Sequence, residues 1–350
     1  LVLALAACGT AATARPAPPV PYDGRPEVRA FADELAARHG WDARWVLAQL
    51  REARLQPAAQ RLIMPAPPGQ PKNWNAYRDR FVEQQRIAAG AAFWQANAEA
   101  LARAEARFGV PAEVIVGIVG VETFYGRIMG RFRALDVLAT LAFDFPSGRS
   151  DRSAYFREEL EHLLALARKE DVAPASFTGS FAGAIGLPQF MPGSINRHAL
   201  DFDGDGHVNL IGSAADAIGS IAHFLARHGW RPGMPAVFEV APPADPAQRA
   251  RLLAPDIVPS FDATAFAAAG ATLSPEGQAH DGLMALVSVD NGGEPPAFVA
   301  GTVNFFVLTR YNRSSYYARA VLELGAAVHR AVQAAPPPGP QAQRMGTENR

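Results

Sequence analysis

The sequence predicts a mainly helical α+β protein with a small β-rich part, and three observations carry that expectation. Apolar residues recur every three or four positions through much of the chain. One central segment is an unbroken apolar run. A later stretch drops helical spacing for scattered prolines, a Gly-Gly pair and short alternating runs. At 350 residues the chain is too long for one minimal core and suits two or three packed units.

In chain order, helical patterning begins near residue 26. Ile87, Ala91, Trp94, Ala98, Leu101, Ala104 and Phe108 predict one helix over 87–108, with Gly109 as its stop. The segment "VPAEVIVGIVGVETFYGRI" follows. Its β-branched run suits a strand as well as a helix, and periodicity does not decide between them. Its length, and Pro111 and Glu113 placed for a first turn, favour a buried helix. Phe156, Leu160, Leu163, Leu164 and Ala167 mark another amphipathic helix, and 213–228 one more. From 231, "RPGMPAVFEVAPPADP" opens a stretch to 302 that contains "LMALVSVDNGG" and reads as a β-rich insertion. Helical spacing returns at Tyr317, Val321, Leu324 and Val328, and the proline-rich tail 334–350 reads as disordered. No internal repeat is found.

Lys+Arg number 33 against 34 Asp+Glu, a net charge of −1, so nucleic acid is not expected as a partner, because phosphate neutralisation needs a clustered basic surface. The only cysteine is Cys8, which excludes an internal disulfide. The run "LVLALAACGT" has no initiator methionine and reads as residues 1–8 of a signal-peptide remnant. Leu5, Ala6, Ala7 and Cys8 resemble a bacterial lipobox, in which the cysteine is lipidated; an apolar signal peptide with an incidental cysteine is the plainer alternative. The small, proline-rich stretch of 9–25 reads as a linker and favours the lipobox. The expectation is a periplasmic protein anchored through Cys8 to the outer membrane of a Gram-negative bacterium.

Glu122 is the first candidate for chemistry. It follows Val114, Ile115, Val116, Ile118, Val119 and Val121. A carboxylate at the end of an apolar element pays desolvation unless paired, and burial favours its protonated form. A glutamic acid neutral near pH 7 is what general-acid cleavage of a glycosidic bond requires. A solvated glutamate at a helix end, or one bridged to Arg127, explains the same residue, and from Glu122 alone the plain reading stands first. In "GSFAGAIGLPQFMPGSI" (179–195) the four glycines and two prolines exclude an ordinary helix interior. Gln189 there either orients a substrate or caps the backbone. "TRYNRSSYY" (309–317) brings aromatics and an amide, which suit a sugar groove or ordinary packing. HExxH, GxSxG, P-loop and dinucleotide patterns are all missing, and the eight histidines lack ligand spacing.

Together, "GIVGVETFYGRIMG", "LDVLATLAFDFP", "GSFAGAIGLPQFMPGSI", "DFDGDGHVNL", "DAIGSIAHFLARHGW" and "NFFVLTRYN" resemble the membrane-bound lytic murein transglycosylase B family, in order, over about 25–332. The resemblance implies a lysozyme-like catalytic core (110–230 and 303–312), an N-terminal helical domain (26–109, completed by 313–333) and the insertion 231–302. It implies cleavage of the β-1,4 bond between N-acetylmuramic acid and N-acetylglucosamine in peptidoglycan, with 1,6-anhydro ends and no required cofactor; a hydrolytic muramidase and a non-catalytic peptidoglycan-binding lipoprotein are the alternatives, and the protein partners are unknown. Glu122 of "GVET" would be the acid and then the base. Ser180 would hydrogen-bond it. Gln189, Phe190 and Met191 of "PQFMP" would meet substrate, with Tyr311, Asn312, Tyr317 and Tyr77 lining the groove. Tyr155 matches the family pattern. Phe224 replaces an aromatic that carries a hydroxyl, and Arg149 and Arg152 stand apart where the family often has adjacent arginines.

The stretch "DFDGDGHVNLIG" (201–212) has calcium-loop spacing, and the resemblance assigns ligands to Asp201, Asp203, Asp205 and the carbonyl of His207. Its twelfth position is Gly212 rather than a glutamate. Asp216 reads as half of a capping box with Ser213. The expectation is a turn kept by glycines and Asx-type bonds, with calcium binding at 201–209 weak or absent.

Overall fold

A computed structural model describes residues 21–65, 69 and 72–334. Cys8, most of the linker and the tail from 335 lie outside the described residues. Contacts gather into two compact units, Leu1–Arg54 and Leu55–Arg350. In the first, a 3-10 turn (Tyr22–Gly24) packs on helices α1 (Pro26–His39) and α2 (Ala43–Arg51). Tyr22 is buried under the Arg25 guanidinium, 4.2 Å from its ring centre. The linker expected to run to 25 therefore gives way to folded chain at Tyr22. Helices expected with α1 in one region, 26–109, cluster with the second unit from residue 55 onward.

The second unit begins with α3 (Pro57–Leu62), α4 (Trp74–Asp79), α5 (Gln84–Ala96), α6 (Ala98–Phe108) and α7 (Ala112–Thr123). The single helix expected over 87–108 is two, broken at Asn97. Its backbone leaves the helical region (φ −121°, ψ 22°), and its side-chain amide donates to the Phe93 carbonyl at 2.8 Å. Asparagine competes in this way with the helix's own ladder. The apolar run of α7 is a helix, as its length and opening indicated, and nearly all of it is buried.

Next come β1 (Phe132–Arg133), α8 (Ala134–Phe143), α9 (Ser153–Lys169), β2 (Thr178–Gly179), α10 (Pro192–His198) and α11 (Ala214–Arg227). The pairing of Phe132 with Gly179 and Arg133 with Thr178 ties the chain after α7 to the start of the glycine-rich segment.

The insertion holds β3 (Val237–Phe238), β4 (Val240–Ala241), α12 (Pro246–Leu253), α13 (Ala263–Ala268), β5 (Thr272–Leu273), α14 (Pro275–Gln278), β6 (Ala285–Asn291) and β7 (Glu294–Gly301). Its main sheet is antiparallel in the order β3-β7-β6, and Gly292 and Gly293 turn the hairpin at positive φ. Expected to be β-rich, the insertion is mixed. Asp245, Asp262 and Ser274 each cap a short helix with their side chains, and two of these helices start on proline. The prolines scattered here are therefore partly helix starts, where a missing N–H costs nothing. Phe238, Leu252, Phe266, Met284 and Leu286 form a small core of its own.

The chain closes with α15 (Val303–Tyr311) and α16 (Ser315–Ala334). α16 lies along α7 at a separation set by glycine. A Cβ on Gly117 would stand 2.3 Å from the Val321 carbonyl oxygen, and one on Gly325 would stand 2.2 Å from that of Glu113. His329 Nδ1 meets Glu113 Oε2 at 2.8 Å, fastening the same pair of helices.

Candidate active site

Glu122 occupies the last turn of α7, half-buried where its neighbours are buried. The helix stops beyond it because Phe124 and Tyr125 take left-handed φ angles of 51° and 56°. Two side chains, Arg86 and Thr123, hold this end. The Arg86 guanidinium donates to the Gly120 carbonyl at 2.6 Å, a cation on a helix C-terminus. The Thr123 hydroxyl, fully buried, lies 3.2 Å from both the Val119 and Leu187 carbonyls. It also accepts the Gly126 N–H at 3.2 Å. One side chain thus joins the glutamate's helix to the glycine-rich segment.

Desolvation pushes the Glu122 carboxyl up to about 7, and the neighbouring Tyr317 hydroxyl opposes part of the rise. The Tyr317 oxygen is buried and close, yet forms no hydrogen bond of good geometry. Burial first, then the Glu122 charge, raises the phenols of Tyr77, Tyr311 and Tyr317. Arg127 is exposed, with its guanidinium 4.7 Å over the Phe124 ring. It makes no ion pair with Glu122. Of the readings open for this residue, neither the solvated nor the salt-bridged one matches its surroundings.

The glycine-rich segment folds back on itself through bridges of Ile185 with Gly179 and Phe190. Ser180 turns its hydroxyl to the backbone, accepting from Ala182 N at 3.3 Å and Ala184 N at 3.1 Å. The bond to Glu122 implied by the resemblance is not made; the hydroxyl keeps its proton to donate. Gln189 sits at φ 49° and spends its amide nitrogen on Gly186 O (2.8 Å) and Met129 O (3.2 Å). The amide nitrogen thus caps backbone, and among the described residues nothing donates to the amide oxygen.

Phe190, expected to meet substrate, is 3% exposed and packs between Phe224 (5.5 Å) and Tyr311 (5.6 Å). What it offers is packing against the Tyr311 ring rather than an exposed face. Phe224 is buried as well, stacked on His228 at 4.0 Å. Met191 precedes α10 and is half-buried. The Tyr311 hydroxyl donates to Pro188 O at 2.6 Å, and its ring stacks on Tyr317 at 6.2 Å. Tyr317 is only 2% exposed, so what it offers is the hydroxyl beside Glu122 rather than a groove-lining face. Asn312 is exposed at the end of α15. Tyr77 belongs to an aromatic group with Trp74, Phe81 and Tyr316.

Tyr155, Arg149 and Arg152 form a separate cluster. Burial, followed by the Glu159 charge, pushes the Tyr155 phenol up to about 12. Arg152 lies 4.6 Å over its ring, and Arg149 is tied to the Ile63 carbonyl. Glu159 in turn accepts the Gly193 N–H at 2.7 Å, linking this cluster to the far end of "PQFMPG".

The chain matches the family model for the transglycosylase SLT domain over residues 23–326. The chain belongs to that family. It is 38% identical over 316 residues to the membrane-bound lytic murein transglycosylase B of Escherichia coli (strain K12), covering 88% of this chain and 84% of that protein. Among solved structures, the soluble lytic transglycosylase SltB1 of Pseudomonas aeruginosa is similar at a TM-score of 0.79 and 38% identity, over 88% of this chain and 100% of that one. The Escherichia coli lytic transglycosylase Slt35 in complex with calcium is similar at 0.76 and 37%, over 89% and 95%. The mainly helical fold expected from the sequence is the fold of the family.

Between α10 and α11, the 201–212 loop closes by Asx-type bonds, as expected. Asp201 accepts Gly204 N at 2.7 Å and Gly206 N at 2.9 Å, and Asp205 accepts His207 N at 2.9 Å. One carboxylate oxygen each from Asp201, Asp203 and Asp205 gathers within 4.8 Å, all exposed. The His207 ring turns aside, 3.6 Å from Glu170. The capping box is only half made. Ser213 caps α11 through Asp216 N at 3.1 Å, but the Asp216 carboxylate reaches into the loop and accepts Phe202 N (2.7 Å), Asp203 N (3.3 Å) and Asn209 N (2.8 Å). Three unsatisfied loop amides outbid one N-cap amide, which is already bonded to Asn209 O at 2.9 Å. Thr123 and Arg86 are structural supports that the sequence did not single out, and Asp216 serves loop amides rather than the N-cap amide expected of it. Thr123, inside "GVET", carried a local signal, and Arg86 carried none.

Proposed function

We infer that this member of the family is a lytic transglycosylase of peptidoglycan and that Glu122 serves it alone as acid and then base. The half-buried carboxyl raised to about 7 carries this reading. Near neutral pH a large fraction is protonated and able to give its proton to the bridging oxygen between N-acetylmuramic acid and N-acetylglucosamine. The C1–O bond breaks, and the Glu122 carboxylate then takes the proton from the muramyl C6 hydroxyl. The C6 oxygen closes on C1, leaving a 1,6-anhydro end and consuming no water. Intramolecular attack needs no second carboxylate, and among the described residues no other carboxylate bears on the titration of Glu122. We assign Ser180 and Tyr317 to positioning the carboxyl, and the Gln189 amide oxygen, Tyr77, Tyr311 and Asn312 to the glycan. Mass spectrometry of digested sacculi tests the reaction: anhydromuramic ends are expected, and reducing muramic ends alone would replace it with hydrolysis.

Anchoring through Cys8 to the periplasmic face of the outer membrane fits the relative's description as membrane-bound. Among the described residues no helix is long and apolar enough to cross a membrane. Radiolabelled palmitate incorporated by the full chain and lost in Cys8→Ser is the check. For the loop, three exposed carboxylates with no closing bidentate ligand support weak calcium binding, since Asp216 is committed to amides. Calorimetry is expected to find no micromolar affinity, and a chelator should leave the melting temperature in place. Asp216→Ala should lower it, because removing the carboxylate leaves three amides without a partner, at about 2 kcal/mol or more.

A further inference from the structure

A cavity of about 300 Å³ lies where three separate segments meet: Lys72 ahead of α4, Asp256, Ser288 and Asp290 of the insertion, and Arg313 and Tyr316 at the start of α16. The volume sits at the lower end of ligand pockets, roughly 300–1,000 Å³. Its walls are fastened to one another. Gly292 N donates to Lys72 O at 3.0 Å, Asn75 N to Asn291 Oδ1 at 3.0 Å, and the Tyr316 hydroxyl to Asp290 O at 3.0 Å. The cavity is therefore built by the insertion docking against the helices, which gives that insertion a role beyond folding.

Its chemistry is mixed charge. Two cations, Lys72 and Arg313, face the same space as two carboxylates, Asp256 and Asp290. Among the described residues none of the four side chains is in an ion pair; Lys72 only overlies the Tyr316 ring at 5.6 Å. N-acetylated sugars, which carry no ammonium, have no use for such a set. A short peptide carrying both ammonium and carboxylate groups has a use for all of it. Tyr316 packs on Tyr77 at 5.7 Å, and the Tyr77 phenol feels the Glu122 charge.

We propose that this cavity is a subsite for the peptide stem of the glycan strand, with Lys72 and Arg313 receiving its carboxylates and Asp256 and Asp290 its free ammonium. The proposal rests on peptidoglycan being the substrate. The test compares strands with intact stems against the same strands stripped by an amidase. The enzymes are the full chain, Lys72→Ala/Arg313→Ala and Asp256→Ala/Asp290→Ala. On intact strands each double variant should raise KM roughly tenfold, and the loss should shrink with added salt because the site is exposed. On stripped strands the variants should match the parent. Equal KM on both substrates, or an equal loss on both, overturns the subsite. If the parent forms no anhydro ends on either substrate, it is the reaction that fails. The amidase-released peptides then decide the subsite by direct titration: binding weakened in the double variants upholds it, and no binding to the parent overturns it.

Discussion

Glu122→Gln is expected to lose roughly 10²- to 10⁴-fold in kcat, the contribution of a positioned acid/base, with binding of glycan largely kept. A parent-like rate of sacculus digestion would remove Glu122 from the chemistry. Because the first step uses the protonated form, kcat/KM of the parent should fall as pH rises through about 7. The same substitution is expected to stabilise the fold. The carboxyl is raised from 4.5 to about 7 on folding, so between these values the folded chain holds a proton that the unfolded chain has released. Stability then falls as pH rises through the window and levels off above it. At pH 8 the parent carries a half-buried charge costing up to about 3 kcal/mol, and Gln carries none. Thermal melts should place the variant above the parent at pH 8 and level with it at pH 4. A variant no more stable at pH 8 would show the desolvation to be wrong.

Gly117→Val is expected to be strongly destabilising. The added Cβ meets a backbone oxygen, Val321 O, at 2.3 Å, so no rotamer relieves it and α16 must move off α7. Overpacking of this kind costs about 1–3 kcal/mol or more, a fall in melting temperature of roughly 5 °C or greater. Activity should drop with it even well below the melting temperature, because α16 carries Tyr317 to Glu122. An unchanged melting temperature would mean that the two helices are not held at this distance.

Much of this was legible locally. The period of three to four residues placed α9, α11 and α16, and the long apolar run with Pro111 and Glu113 at its start placed α7. Gly109 ends α6 at φ 66°, as a stop glycine should. Asn97 and the three capped helices of the insertion were written in the sequence too, as side chains that bond nearby backbone, but were obscured by a broader hydrophobic or proline pattern. The candidate acid was legible as a carboxylate closing an apolar run, because the cost of burying it follows from its immediate neighbours.

The sequence by itself determined the helical class, the position of Glu122 at the end of a buried helix, and the Asx-bonded turn at 201–212, all of which depend on residues a few positions apart. Only the tertiary structure decided that the phenols of Tyr77, Tyr311 and Tyr317 feel the charge of that carboxyl, and that Phe190 is buried between Phe224 and Tyr311. It alone showed Asp216 serving the loop amides, and Lys72, Asp256, Asp290 and Arg313 sharing a cavity. Desolvation and charge act through space, at distances of a few ångströms between residues up to 245 positions apart, as in the Arg78–Glu323 pair. No local pattern records which of these distant groups the packing of α7, α16 and the insertion brings together.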